Sequence, residues 1–325
     1  MAYSNDVVRR ARQRLESMKA DRESQQQARL REVYDTLPRV REIDRQLRSS
    51  MVLAAQAAFL KGTDGKEALA NVRQANLTLQ QERKALIADK FPPEYLDESP
   101  ICSRCGGSGY IGSTMCVCLL ELCRQEQKKE LSLLAAGEQR FADFRLDYYP
   151  DRTDPKYGIS ARAVMTRTLD ICRRYAADFT PRSGNLLLNG GTGLGKTFLS
   201  ACIAREVADK GFSVAYESAQ HLFAKLEKHR FHPDEESALA VEKINGCDLL
   251  IVDDLGTELT GNFIIAALYA LVNDRLLAGK PMIISTNLNI SEIKERYSPQ
   301  IASRLQGSFQ LLPFLGEDIR VIKNK

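Results

Sequence analysis

The apolar positions of this chain follow two patterns, one in its first 90 residues and another in its second half. Between Val7 and about Lys90 the sequence is rich in Arg, Gln, Glu, Ala and Leu, and only Pro38 and a break at Gly62/Gly65 interrupt it. Because proline and glycine are the residues that most often end helices, this region predicts three helices.

Each predicted helix carries one narrow apolar stripe, with apolar residues at spacings of three and four. The stripes are Val8, Ala11, Leu15 and Met18 in the first helix, Val40, Ile43, Leu47, Met51, Ala54 and Ala58 in the second, and Leu69, Val72, Ala75, Leu79 and Leu86 in the third. A narrow stripe on a charged helix needs a partner to cover it. The region is therefore either a self-contained helical hairpin or a docking arm for another protein, and the two interpretations are compatible.

In the second half of the chain, apolar runs of strand length alternate with helical stretches. The predicted strands cover residues 185–189, 213–216, 248–253, 281–286 and 308–312, and a helix over 159–179 precedes them. Strands interleaved with helices are typical of a parallel sheet covered on both faces. The predicted fold class is therefore α/β with a parallel five-stranded sheet, preceded by an α-helical, coiled-coil-like region.

Composition narrows the class of protein. The chain has 325 residues, 44% of them hydrophobic and 27% charged, and no apolar run approaches the length of a membrane span. We expect two or three domains and no membrane partner. The first residues lack the apolar core of a secretory signal, which predicts a cytoplasmic protein with reduced thiols. The formal net charge of +4 permits contact with nucleic acid but is too small to argue for it.

The clearest motif is GGTGLGKT at residues 190–197, which follows an apolar strand and opens a helix near Lys196. It matches G-x-x-x-x-G-K-[ST], the P-loop, in which glycines let backbone N–H groups surround phosphates. We expect Lys196 to reach the β- and γ-phosphates of ATP, and Thr197 to offer its hydroxyl to Mg²⁺. The predicted nucleotide-binding residues are Gly190, Gly191, Thr192, Gly193, Leu194, Gly195, Lys196, Thr197 and Phe198.

Two further strands end in polar residues that suit the same chemistry. The strand over 248–253 ends in Asp253, which suits the Mg²⁺ shell, and is followed by Asp254, which suits a polarised attacking water. Proteins with this arrangement commonly carry Glu at the second position. Asp254 is one methylene shorter, so its carboxylate reaches less far towards the water, which affects the expected rate of hydrolysis. The strand over 281–286 presents Ser285, Thr286 and Asn287, and we favour Asn287 as the residue that contacts the γ-phosphate or its water.

A cluster of cysteines lies between the helical region and the α/β region. Cys102, Cys105, Cys116 and Cys118 have the spacing C-x2-C-x10-C-x-C, and Cys123 is a rival for the fourth position. Four thiolates can hold one tetrahedral Zn²⁺, and nearby glycines free the backbone to turn its N–H groups towards sulfur. The three other cysteines are scattered singly and read as core residues.

The segment over 221–233 combines cations with aromatic rings. Lys225, Lys228 and Arg230 lie near Phe223 and Phe231, a mixture that can line a path for single-stranded DNA. A solvated basic helix face with a core Phe is the commoner case. His221, His229 and His232 lack ligand spacing with the cysteines, so we assign them no metal.

Taken together, these motifs resemble the AAA+ helicase-loader family of bacteria and phages, the DnaC/DnaI type, and the related IstB transposition ATPases. The resemblance runs from about Pro92 to the C-terminus, and the Cys105–Tyr110 stretch resembles the zinc knuckle of loader N-terminal domains. It implies that Asn287 is the sensor residue, and that Arg304, otherwise an ordinary surface arginine, is an arginine finger offered to a neighbouring copy. Arg320 corresponds to a second sensor, although no full helical lid follows it.

The predicted organisation has three parts. Residues 1–91 form a helical arm for partner binding, residues 92–135 a four-cysteine zinc module, and residues 136–325 an AAA+ ATPase domain that self-associates through Arg304. The predicted function is ATP-dependent loading of a replicative hexameric helicase onto single-stranded DNA. One alternative is an IstB-like helper that delivers target DNA to a transposase. Another is a P-loop small-molecule kinase, which the pattern of Asp253-Asp254, Asn287 and Arg304 disfavours.

Overall fold

The structure, a computed structural model, describes residues 3–59, 63–97, 99–133, 139–155 and 158–323, apart from the side chains of residues 51, 53–68, 130–133 and 323. Some predicted features lie outside this description: Gly62, the boundary between residues 135 and 136, and the stripe side chains of Met51, Ala54 and Ala58. The chain divides into two compact units, one of Arg14–Thr114 and the other of Met1–Gln13 with Met115–Lys325.

The three predicted helices are confirmed as α1 (Asn5–Thr36), α2 (Pro38–Phe59) and α3 (Thr63–Lys90). Pro38 is the first residue of α2, where proline is favoured because the first N–H groups of a helix have no partner within it. The predicted break at Gly62/Gly65 is shorter than expected, since Gly65 lies inside α3. A glycine costs a helix about 1 kcal/mol relative to alanine, which so long a helix tolerates.

In the Arg14–Thr114 unit, Asp44 joins all three helices. Tyr34 on α1 donates its hydroxyl to Asp44 Oδ2 at 2.9 Å, and Arg83 Nε on α3 donates to Asp44 Oδ1 at 2.7 Å. The stripe residues Val40 and Ile43 are fully buried. The stripe predicted for α2 is thus confirmed at its first two positions.

Other stripe positions differ from the prediction. Met18 and Leu69 are 42% and 45% exposed, although both were placed on apolar seams. In the first half of α1 the buried residues have a spacing of four, and the seam begins one residue earlier than Val8. They are Val7, Ala11 and Leu15.

A short hairpin of β1 (Tyr110–Ile111) and β2 (Thr114–Met115) precedes the larger fold. The helices that follow are α4 (Val117–Leu133), α5 (Ala161–Ala177), α6 (Lys196–Asp209), α7 (Ala219–Phe231), α8 (Glu235–Gly246), α9 (Asn262–Leu277), α10 (Ile290–Arg296), α11 (Pro299–Ser308) and α12 (Ile319–Lys323). The strands are β3 (Asn185–Gly190), β4 (Val214–Ser218), β5 (Leu249–Leu255), β6 (Met282–Thr286) and β7 (Phe309–Phe314). Two 3₁₀ turns, Phe141–Asp143 and Leu146–Tyr148, lie between α4 and α5.

The five strands form one parallel sheet in the order β4-β5-β6-β3-β7, which confirms the predicted class. Leu186 and Leu188 pack into the apolar core on one face, whereas Leu187 packs into the core on the other. Both faces are therefore covered, as the apolar runs predict. Because all strands point the same way, the carboxyl ends of β3, β5 and β6 lie side by side at one edge, where ligands bind in open α/β sheets. Among the described helices, none has the length and apolar character that a membrane crossing requires.

Candidate nucleotide-binding site

The loop between β3 and α6 carries the GGTGLGKT motif and is shaped by the C-terminal segment. Gly190 and Gly193 have positive φ angles of 155° and 68°. A Cβ at Gly190 would lie 2.3 Å from the Phe314 carbonyl oxygen, and one at Gly193 would lie 1.8 Å from the Asp318 carboxylate. The Ile319 N–H donates to the Gly193 carbonyl at 3.1 Å. These two glycines are thus needed for contact with the protein's own chain as well as for the approach of phosphates.

Lys196 begins α6 and is 5% exposed. Its ammonium group donates to the carbonyl oxygens of Gly190 and Gly191 at 2.7 Å each, and to Asn287 Oδ1. Burial lowers the pKa of Lys196, while the charges of Asp254 and Asp253 act in the opposite direction. A cation is therefore held at the loop, where it can neutralise phosphate charge.

Asp253 is buried on β5, and both of its carboxylate oxygens accept hydrogen bonds. The Tyr216 hydroxyl donates to Oδ2 at 2.9 Å, and the Ser285 hydroxyl donates to Oδ1. Hydrogen bonds from two sides fix the orientation of this carboxylate, which suits a residue that must hold a Mg²⁺ shell. The contribution of Tyr216 was missed from the sequence. A tyrosine within the apolar strand VAYES indicates a buried hydroxyl that needs a partner, but it does not indicate which partner.

Asp254 has a φ of +55°, and no other non-glycine residue of the described chain has a positive φ. Its N–H donates to the Ser285 hydroxyl at 2.9 Å, so one serine orients both acids. Burial and then the charge of Asp253 raise the pKa of Asp254, whereas Lys196 and Arg320 lower it. Asp254 thus combines a left-handed backbone conformation, which is unfavourable for a non-glycine residue, with a raised carboxyl pKa. Both features are frequent at functional sites.

The three polar residues at the end of β6 have separate roles. The Ser285 hydroxyl accepts from the Asp254 N–H and donates to the Asp253 carboxylate. The Thr286 hydroxyl donates to the Leu255 carbonyl at 2.7 Å. Asn287 is exposed and accepts from Lys196. Of the three, only Asn287 lines the cavity over the P-loop. This is the position that a sensor of the γ-phosphate requires, and the role itself stays a prediction.

That cavity has a volume of about 670 Å³, and it also contains Thr197, Asp254 and Arg320. The Thr197 side chain is exposed to it, in keeping with the predicted offer of a hydroxyl to Mg²⁺. Arg320 is largely exposed, at 74%, and its charge acts on both Lys196 and Asp254. Its role as a second sensor also stays a prediction.

Aromatic residues before α5 form one wall of the cavity, and the sequence reasoning assigned them no role. Phe144 lies 5.7 Å, centroid to centroid, from both Tyr149 and Phe198. The Tyr149 hydroxyl donates to the Leu194 carbonyl at 2.9 Å, which ties this wall to the P-loop. Arg145 lies 4.9 Å from the centre of the Tyr148 ring. Flat rings at the edge of a phosphate-binding cavity are suited to the base of a nucleotide.

The turn after Asp254 is anchored by a buried carboxylate. Glu258 accepts from the Gly256 N–H at 3.0 Å and from the Tyr297 hydroxyl, and Arg296 donates to the Glu258 carbonyl. Tyr297 ends α10 and leads into α11. The acid-bearing end of β5 is thus attached to the helix pair that carries Arg304.

Arg304 lies on α11 and is not among the residues of the cavity in the described chain. Its guanidinium group donates to Asn273 Oδ1 at 2.6 and 3.2 Å and to the Tyr269 hydroxyl at 3.0 Å. It also lies 4.7 Å from the centre of the Tyr269 ring. Two residues of α9 therefore hold a half-exposed arginine away from its own nucleotide site.

The basic segment of α7 is largely neutralised. Lys225 pairs with Glu217 at 2.6 Å, and Lys228 pairs with Asp234 at 2.8 Å. Phe223 is buried in the core. The structure thus favours the commoner interpretation of this helix, and a DNA path along it retains only Arg230 and the exposed Phe231.

The cysteine cluster fits a tetrahedral metal ion. The sulfur atoms of Cys102, Cys105, Cys116 and Cys118 all lie within 4.8 Å of one another. Zn–S bonds of about 2.3 Å in a tetrahedron separate the sulfurs by about 3.8 Å, so small shifts would close this group on Zn²⁺. As predicted, a glycine N–H (Gly109) points at a thiol, that of Cys105, at 3.3 Å.

Cys123, the rival ligand, does not belong to that group in the described chain. Its side chain is fully buried, and burial raises the pKa of Cys123 to about 11. A thiol of such high pKa is a poor source of the thiolate that a metal requires.

The sheet order and the site define a P-loop nucleotide-binding domain. Residues 157–303 match the family model described as IstB-like ATP binding protein, so this part of the chain is similar to that family.

Two curated relatives belong to insertion sequences. The ATP-binding protein of insertion sequence IS1162 from Pseudomonas fluorescens is 31% identical over 93 residues, which are 28% of this chain and 39% of that protein. The insertion-sequence ATP-binding protein y4pL of Sinorhizobium fredii is 27% identical over 190 residues, 57% of this chain and 74% of that protein. The chain spans about two fifths of the length of the first three curated relatives that it matches.

Solved structures that the chain resembles include the DnaC helicase loader and DnaI. The DnaC helicase loader is 20% identical, with a TM-score of 0.44, over 54% of this chain and 98% of that one. DnaI is also 20% identical, with a TM-score of 0.46, over 56% of this chain and 94% of that one. At these scores the likeness carries no argument about function.

Proposed function

We propose that this ATPase loads a ring-shaped replicative helicase onto single-stranded DNA in the cytoplasm. The observation that carries the proposal is the attachment of an AAA+ ATPase to a helical arm with uncovered apolar residues. In the arm Val52, Leu69 and Leu77 are 59%, 45% and 44% exposed, which suits docking to another protein. We propose the arm (residues 1–91), the zinc module (92–135) and the ATPase domain (136–325) as separate functional parts.

The proposed chemistry follows from the residues at the strand ends. Lys196 neutralises charge on the β- and γ-phosphates, and Thr197 and Asp253 hold Mg²⁺, which supplies Lewis-acid polarisation of the phosphoryl oxygens. Asp254 accepts a proton from the attacking water, and its raised pKa brings its basicity closer to working pH. Asn287 orients that water or the γ-phosphate. Arg304 acts on the phosphate of a neighbouring copy.

We also propose Zn²⁺ as the ion held by Cys102, Cys105, Cys116 and Cys118, with a structural role. All four ligands are thiolates, which leaves no open position for catalysis. The sulfur separations given above support this assignment.

A second candidate function is a helper that delivers target DNA to a transposase. It is favoured by the IstB-like match and by the insertion-sequence relatives. The deciding experiment is co-purification of the full chain with a candidate hexameric helicase and, separately, with a transposase encoded beside it, each with and without ATP. Nucleotide-dependent capture of the helicase supports loading, whereas capture of the transposase alone would replace that proposal.

A further inference from the structure

A concave, positively charged surface lies on the outside of α2. Its cavity, about 560 Å³ in volume, is lined by Tyr34, Pro38, Arg41, Glu42, Arg45 and Arg48. Arg41, Arg45 and Arg48 have the i, i+4, i+7 spacing of one helix face and are all exposed. We call these three residues the α2 arginine surface.

The charge of this surface is not neutralised within the protein. Among the side chains that the structure describes, none of the three forms an ion pair with a carboxylate, and Arg48 donates to the Tyr34 hydroxyl at 3.5 Å. The nearby acids are already used by other cations, since Glu42 pairs with Arg39 at 3.2 Å and Asp44 pairs with Arg83 at 2.7 Å. Like charges one turn apart on a helix are destabilising, and a bound anion would offset that repulsion.

The net charge of the chain is also concentrated in this region. Residues 1–90 contain 18 Lys and Arg and 12 Asp and Glu, a net charge of +6, whereas the whole chain carries +4. The remaining residues therefore have a net charge of −2. The net charge therefore favours the approach of an anionic polymer to the helical arm over its approach to the remaining residues.

The chemistry of the surface favours phosphate over carboxylate and a single strand over a duplex. Seven residues of α-helix extend about 10 Å, so the three guanidinium groups form a line that can follow a chain of phosphates. Arginine binds phosphate through paired N–H groups. Tyr34 lies in the same cavity, where its ring offers a stacking surface that unpaired bases use and paired bases do not.

We infer that the α2 arginine surface binds the phosphodiester backbone of single-stranded nucleic acid. This site is separate from the ATP site and from α7, whose lysines are paired with acids. It does not depend on the proposed helicase partner.

The test is a salt titration of binding to a fluorescent oligothymidylate, followed by anisotropy, with the full chain and no nucleotide. The variant replaces Arg41, Arg45 and Arg48 by Gln. The matched control replaces Arg31, Arg73 and Lys84 by Gln, three exposed cations elsewhere in the arm, so that the net charge is identical. Each lost phosphate contact lowers the slope of log K against log salt by about 0.7.

The α2 variant should lose about 2 in that slope and at least about tenfold in affinity at low salt, while the control keeps most of both. Unchanged ATP turnover and helix content check that the variant is folded. Equal binding by variant and unmodified chain, or an equal loss in the control, would overturn the site. Equal competition by a duplex would overturn the single-strand preference, and equal competition by polyglutamate of matched charge would assign the surface to an acidic protein. Failure to capture a helicase would leave this result intact, so the two proposals can fail separately.

Discussion

Single hydrogen bonds decide how the two acids and the lysine of the ATP site are arranged. Lys196 contacts the loop carbonyls and Asn287, and Asp253 is held by Tyr216 and Ser285. Each contact can be removed by a substitution that changes little else.

Substitution of Lys196 by Ala should abolish ATP binding or turnover while the domain stays folded, because it removes the cation facing the β- and γ-phosphates. Binding of a fluorescent ATP analogue and steady-state turnover measure the effect. Lys294→Ala, at an exposed position of α10, is the control and should change neither. A folded Lys196→Ala protein with normal affinity and turnover would contradict the P-loop assignment.

Tyr216→Phe should raise the Mg²⁺ concentration needed for half-maximal turnover, because one donor to Asp253 is lost and the carboxylate is less firmly oriented. A hydrogen bond to a charged group contributes about 1.5–3 kcal/mol, so the shift should be tenfold or more, if most of that energy is expressed in metal binding. Tyr175→Phe is the control, since its hydroxyl donates to the Gly184 carbonyl. Equal Mg²⁺ dependence in both variants would show that Tyr216 does not position Asp253.

Turnover should fall at acid pH because Asp254 must be ionised to accept a proton. Burial raises the pKa of Asp254 above that of an ordinary aspartate, so the acid limb should lie at higher pH than an exposed aspartate gives. Asp254→Asn should spare ATP binding, lower turnover and remove this limb from the remaining activity. A pH profile of turnover at saturating ATP tests this, and an unchanged acid limb in the variant would assign the limb to another group.

At the scale of elements, the sequence predicts the three N-terminal helices and five parallel strands with boundaries a few residues from those observed. The apolar runs suffice because a buried parallel strand is apolar on both faces. The seam of α1 is less well predicted, since Val7 and Val8 are equally apolar and only packing selects Val7. Tyr216 could not be assigned to Asp253 because that contact depends on β4 lying beside β5, an order that periodicity does not contain. The pairing of Lys225 and Lys228 with acids depends likewise on folded geometry.

The cysteine module should contain one Zn²⁺ per chain. Cys102→Ser or Cys105→Ser should release it and loosen the module, because so short a segment buries too little apolar surface to fold without metal. ATP turnover should persist. Cys123→Ala is the matched control and should retain the metal, since Cys123 is outside the sulfur cluster. Metal analysis after purification without chelator measures the zinc content of all three variants. Loss of zinc only in Cys123→Ala would show that Cys123 is a ligand and that the four-cysteine assignment is wrong.

At the scale of the whole molecule, the position of Arg304 predicts that catalysis requires a second copy. Arg304→Ala should leave ATP binding by a single chain nearly intact and reduce hydrolysis, by about 10³-fold or more if the finger acts as in dissected cases. Mixing Arg304→Ala chains with Lys196→Ala chains should restore activity, because some interfaces then pair an intact P-loop with an intact arginine. Full activity of Arg304→Ala alone, or no restoration in mixtures that co-assemble, would exclude a finger acting between copies.

The buried carboxylate of Glu258 predicts that the ATP sites of neighbouring copies in such an assembly are coupled. Through Gly256 and Tyr297 it connects the turn after Asp254 to the helices that present Arg304. If Arg304 acts between copies, a change of this turn during hydrolysis should therefore shift the arginine that faces the neighbouring copy. Turnover at one site should therefore depend on the nucleotide state of the next, so the Hill coefficient for ATP should differ from one, and Tyr297→Phe should bring it towards one while each chain still binds ATP.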